Sequence, residues 1–141
     1  MSFAEKNTWY WALIGSIVPG AYIAGTLVQL RTTPAAEIAY QQPMLISIGV
    51  VIALSILGAI VIAASSPRNT LEDQRDKEIH RFGEYAGYWV MIAGALAAMA
   101  MAMAKVDHFW IANTLYVCGV VGGLLGAIVK IVSYRNGFRT W

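Results

Sequence analysis

Charge is scarce in this chain. Of its 141 residues 13% are Asp, Glu, Lys or Arg, against about 25% in an ordinary soluble domain. The formal net charge is only +2, so a nucleic-acid partner is not indicated. Cys118 is the single cysteine, which excludes an intrachain disulfide and makes an inert buried thiol the default reading. There are two histidines, His80 and His108. They flank one apolar run and would stand about 42 Å apart on a continuous helix, too far to share a metal or a haem. No phosphate-cradling glycine loop and no nucleophile–base pair is visible. No catalytic, cofactor-binding or metal-binding residue is therefore nominated, and an enzyme is not expected.

What the chain has instead is apolar length. Hydrophobic residues make up 58%, where roughly 45–50% is usual. They gather in four runs, Thr8–Leu30, Met44–Ala64, Tyr85–Ala104 and about Phe109–Val132. Each is long enough to cross a hydrocarbon core of about 30 Å at 1.5 Å per residue. In lipid every backbone N–H and C=O needs a partner within its own segment, so the runs are expected to be helices. They are continuously apolar, not alternating, which argues against a β-barrel. The first run is too long for a signal-peptide core and is read as an uncleaved span. The expected fold is a single all-α membrane domain over 1–141, a multi-pass four-helix bundle.

The basic residues set an expected orientation. Lys6, the group Arg68, Arg75, Lys77 and Arg81, and the group Lys130, Arg135 and Arg139 fall on one side if all four runs cross, while Arg31 and Lys105 fall on the other. Basic segments stay in the cytoplasm. Both termini and the central segment are thus expected inside, in a cytoplasmic (inner) membrane. Trp9, Tyr10, Trp11, Tyr85, Tyr88, Trp89, Phe109, Trp110 and Tyr134 lie near the run ends, where amphipathic rings anchor at headgroup level.

Small residues suggest how the helices meet. Gly15 and Gly20 in the first run, and Gly119/Gly123 with Gly122/Gly126 in the fourth, fit close helix approach. They serve packing within one bundle or a homodimer. Pro19 interrupts the first run and is expected to kink it. Asn113, Thr114 and Gln29 are read as interhelical hydrogen-bonding groups. No ionisable residue sits near the centre of a run, and such residues usually mark ion and proton pathways.

The polar stretch Thr70–Glu84 reads as a helical cytoplasmic segment continuous with the third run. Thr70 and Asp73 resemble a capping box. Asp73/Lys77 and Glu78/Arg81 have pairing distance along a helix, and Ile79 and Phe82 extend the apolar face. The segment is expected to project some 20 Å from the bilayer or to lie along it. Glu72, Asp73, Arg75, Asp76 and Arg81 are candidate contacts for a cytosolic partner.

Glu72-Asp-Gln-Arg-Asp76 with Ile79, Gly83 through Val90, His108-Phe-Trp-Ile-Ala-Asn113, and Lys130 with Tyr134-Arg-Asn-Gly-Phe138 resemble a bacterial and archaeal family of small four-helix membrane proteins of unassigned function. Asn136 stands where a second arginine is usual in that family. The resemblance covers roughly 72–138. Genes of that family often neighbour helix-turn-helix regulators, which implies a membrane partner for a cytosolic regulator. The functional expectation is a non-enzymatic regulatory or accessory membrane protein whose central charged helix engages a cytosolic partner. An oligomeric channel or transporter, or an accessory subunit of a larger membrane complex, is the alternative.

Overall fold

The computed structural model describes residues 3–65 and 74–136. Four long helices account for most of them: α1 (Phe3–Gln29), α2 (Gln41–Ala64), α3 (Gln74–Met103) and α4 (His108–Asn136). Among the described residues there is no strand. All four helices are long and apolar enough to cross a membrane. Each extends beyond its apolar run, because backbone hydrogen bonding continues where the side chains turn polar. α1 runs unbroken through Pro19, whose ring nitrogen cannot donate to the Gly15 carbonyl.

The packed faces are α3 on α4, α4 on α1 and α1 on α2. α1 and α4 hold the middle of this arrangement, and α2 also reaches α4 where Ser47 Oγ and Tyr116 Oη stand 2.6 Å apart. Neighbours run antiparallel: Trp9 meets Arg135, Tyr22 meets Asn113, and Gly83 meets Gly126. The starts of α1 and α3 and the end of α4 therefore share one end, here called the basic end.

The tightest seam is α3 on α4. Gly83 and Gly87 on α3 lie against the backbone of Gly126 and Gly122, and Gly94 lies against Cys118. With no Cβ at these places the two backbones approach directly, the geometry that small residues permit between membrane helices. Thr114 adds a weak hydrogen bond across the seam to Met101 Sδ at 3.6 Å.

The opposite end carries its own small core. The chain after α1 forms a short 3-10 turn, Ala35–Glu37, and folds Ile38 and Tyr40 onto Phe109. The Tyr40 and Phe109 rings meet edge to face with centroids 5.3 Å apart. The α3–α4 connection is a Schellman turn. Val106 N–H donates to the Met101 carbonyl and Lys105 N–H to the Ala102 carbonyl, both at 3.0 Å, with Lys105 left-handed at φ 55°. Asp107 caps α4, its Oδ1 accepting the Phe109 N–H at 2.8 Å.

Several expectations are corrected. Phe109 is 1% exposed and belongs to that core, not to the interfacial belt. On α3 Ile79 is fully buried, while Phe82 and Trp89 are exposed. α3 is helical from Gln74 into its apolar run. His80 and Gly83 pack against Lys130 and Gly126 of α4, so the polar start of α3 is braced by the end of α4. No ion pair joins Glu78 to Arg81 among the described residues; the pair that forms on this helix is His80–Glu84. Thr70, Glu72 and Asp73, with the proposed cap and the Asp73/Lys77 pair, lie outside the described residues.

Candidate functional site: a groove at the basic end

α1 and α3 flank one face of α4 without packing on each other there. The space between them is a groove of about 630 Å³. Its floor is α4, with Gly119, Gly123 and Ala127 below and Lys130 and Tyr134 towards the helix end. Nothing lies within 4 Å of the position a Gly123 Cβ would take, so the floor is open there. α1 supplies Asn7, Thr8 and Trp11, and α3 supplies His80, Glu84, Tyr88 and Met91.

The polar groups collect at the mouth. The Lys130 side chain is 16% exposed. Its stem lies over Gly83, occupying the space a Cβ would need, and its ammonium reaches outward, as lysine stems do along apolar surface. Lys130 Nζ is 3.3 Å from His80 Nδ1 and 3.9 Å from Glu84 Oε1. His80 Nδ1 is 3.0 Å from the same Glu84 oxygen. One ring nitrogen cannot serve both neighbours at once. It either donates an N–H to Glu84 or accepts from the Lys130 ammonium. Opposite, on α1, Asn7 Oδ1 is buried with no hydrogen-bond partner, an omission that costs on the order of 1–3 kcal/mol in a dry site. Arg135, with its guanidinium carbon 5.5 Å from the centre of the Trp9 ring, clasps α4 to α1 beside the mouth.

Away from the mouth the groove is apolar. It continues into a second space of about 350 Å³ between α1, α2 and α4, and the two share Trp11, Gly119, Gly123 and Ala127 as walls. Ile48, Val51 and Ile52 of α2 partly roof this deeper part. The polar side chains nearby are already paired. Tyr22 Oη donates to Asn113 Oδ1 at 2.8 Å, and Ser47 Oγ and Tyr116 Oη are 2.6 Å apart.

The residues nominated from sequence fall in different places. Gly122 and Gly126 are in the α3–α4 seam, Gly15 touches Leu124, and Gly119 touches Met91 Sδ. Gly20 and Gly123 face open space. Asn113 and Thr114 do bond across helices, whereas Gln29 is exposed. Arg75 lies in the first turn of α3, Asp76 is half-buried and Arg81 is exposed, while Glu72 and Asp73 are outside the described residues. Among the described residues no three His, Cys, Asp or Glu side chains gather as a metal site would need.

Sequence reading missed the Asn7–His80–Glu84–Lys130 grouping. The His80/Glu84 spacing of four was a visible signal. So was a lysine within a long apolar run. Comparisons of the chain with protein-family models, with curated proteins and with solved structures give no match.

Proposed function

We propose that this chain is an integral protein of the cytoplasmic membrane with its basic end inside. It serves as a non-enzymatic regulatory or accessory protein that meets a cytosolic partner with the start of α3. The observation that supports this reading is the sorting of charge along the helices. Lys6, Arg75, Lys77, Arg81, Lys130 and Arg135 belong to the basic end, against Arg31 and Lys105 at the other, the bias that retains segments in the cytoplasm. Lys77, Glu78 and Arg81 are exposed there, beside a groove whose own charges pair with one another. Asp76 and Arg81, together with Glu72, Asp73 and Arg75, form the contact surface. The partner is a cytosolic regulator, as the family resemblance also implies.

Two measurements test it. With Cys118 replaced by Ser, a cysteine placed at Lys105 is labelled in intact cells by a membrane-impermeant thiol reagent, and one placed at Ser65 is not; the reverse pattern refutes the orientation. Co-purification in mild detergent then recovers a stoichiometric cytosolic protein, and the double reversal Asp76→Lys with Arg81→Glu releases it. Retention of every companion by that variant refutes the docking surface.

A further inference from the structure

We propose that His80 is a pH-responsive latch between α3 and α4. On taking up a proton it exchanges a hydrogen bond from Lys130 for one to Glu84, and the start of α3 loosens from the end of α4. This rests on the geometry at the groove mouth, not on which face is cytoplasmic or on any protein partner.

Three groups converge on one atom. His80 Nδ1 stands 3.3 Å from Lys130 Nζ and 3.0 Å from Glu84 Oε1. In the tautomer with its proton on Nε2, Nδ1 accepts from the Lys130 ammonium, and that bond joins two helices. This tautomer exists only while the ring is neutral. Once protonated, both ring nitrogens donate. Nδ1–H then turns to Glu84, four residues on within α3, and Lys130 loses its acceptor. Imidazolium and ammonium become like charges that share one carboxylate, since Lys130 Nζ is also 3.9 Å from Glu84 Oε1. The His80 side chain is 57% exposed, so the proton comes from solvent, and histidine is the side chain type whose charge changes between about pH 5 and 8.

The surroundings leave the choice to these three. On α3 the cations Lys77 and Arg81 flank His80, and Asp76, one turn earlier, makes no ion pair with it among the described residues. α4 brings Lys130 and Tyr134 to the groove, and α1 brings the uncharged Asn7 and Thr8. α3 is held unevenly. At Gly83 and Gly87 it lies against the α4 backbone. Among the described side chains of residues 74–82 only Ile79 is buried. The Lys130 stem over Gly83 and its hydrogen bond to His80 tie this stretch to α4. A segment with few buried contacts is the one that opens first. When the ammonium leaves His80 the stem shifts with it, and Gly83 has no side chain to take its place.

Distances between spin labels on the full chain in detergent test this. In a Cys118→Ser background the labels are carried by Gln74→Cys at the start of α3 and Val132→Cys on α4, both exposed positions. One narrow distance dominates at about pH 8, and at about pH 5.5 a longer, broader component grows. That component rises roughly two- to five-fold, the scale of one exposed charge interaction. His80→Gln stays neutral and keeps the narrow distance at both pH values. Lys130→Met keeps an apolar stem without the ammonium, and its distances no longer change with pH. Glu84→Gln removes the anion that stabilises the imidazolium and moves the change to lower pH. Should Lys130→Met fail to fold, by circular dichroism, His80→Gln still decides. No change in the unaltered chain, the same change in His80→Gln, or an unmoved change in Glu84→Gln each overturns the proposal.

Discussion

Gly87 and Gly122 meet backbone to backbone across the α3–α4 seam. A Cβ on Gly87 would stand 2.6 Å from the Gly122 carbonyl oxygen, and one on Gly122 would stand 2.9 Å from the Gly87 oxygen. A side chain could swing aside, but a helix carbonyl cannot without disturbing its own hydrogen bond. Gly87→Ala is therefore expected to cost about 1–3 kcal/mol, the range for overpacking a close contact. Gly20→Ala and Gly123→Ala, where nothing lies within 4 Å, are expected to cost nothing. Thermal unfolding in detergent separates the cases, and equal melting temperatures for Gly87→Ala and Gly20→Ala would contradict the seam.

The α1–α2 contact has a different origin. Gly58 lies under the Tyr10 ring, which fills the space its Cβ would need. That ring is held in place by a hydrogen bond from Tyr10 Oη to the Leu54 carbonyl at 2.7 Å. Gly58→Ala should displace the ring and break the bond together. In a Tyr10→Ala background the added methyl meets no ring, so the loss from Gly58→Ala should shrink to near zero. Contacting residues show coupling of about 0.5–3 kcal/mol in such cycles; additive losses would mean that the ring is not what Gly58 accommodates.

These contacts explain what the sequence made legible. The four helices followed from apolar length, because a bilayer allows little else. Small residues at spacing four marked Gly122 and Gly126, yet the same spacing marked Gly20 and Gly123, which face open space. Spacing identifies a smooth face but not its neighbour; that depends on the register between helices. The groove was hidden for the same reason. His80 and Glu84 pair within α3, but Lys130 reaches them from 50 residues away, and the Asn7 that lines the same groove comes from another helix. Phe109 read as an interfacial ring because nothing local announces that Ile38 and Tyr40 fold back over it.

The turn at Lys105 carried no glycine signal, and that gives a prediction of opposite sign. Lys105 adopts a left-handed conformation at φ 55°, which costs an L-residue with a Cβ on the order of 1 kcal/mol. Glycine is free of that cost and is the usual residue at this place of a Schellman turn. Lys105→Gly should raise stability by roughly a few tenths of a kcal/mol, because the entropy of the more flexible unfolded chain offsets much of the relieved strain. A lower melting temperature would show that the lysine side chain has a stabilising contact at this end.

Phe109 is expected to be the most sensitive aromatic residue. It is 1% exposed and packs on Ile38 and Tyr40, so Phe109→Ala should cost about 3–5 kcal/mol. Trp110 is next in sequence but 44% exposed, and Trp110→Ala should cost far less. Equal losses would return Phe109 to the interfacial belt.

Tyr22 and Asn113 join α1 to α4 within the apolar part of both helices. Tyr22 Oη donates to Asn113 Oδ1 at 2.8 Å, while Asn113 Nδ2 donates to the Phe109 carbonyl at 2.9 Å along its own helix. The Tyr22 ring also meets Tyr116 edge to face, with centroids 4.8 Å apart. Tyr22→Phe keeps the ring contact and removes only the donor, which leaves the Asn113 oxygen unpaired. Interhelical hydrogen bonds in membranes average about 0.6 kcal/mol and reach about 1.7, so the loss should fall in that range. Asn113→Leu alone strands the Tyr22 hydroxyl. With both replaced, no polar group is left unsatisfied between the two helices. The double variant should therefore lose less than the sum of the two single losses. A double variant that loses the full sum would show that the tyrosine and the asparagine act separately.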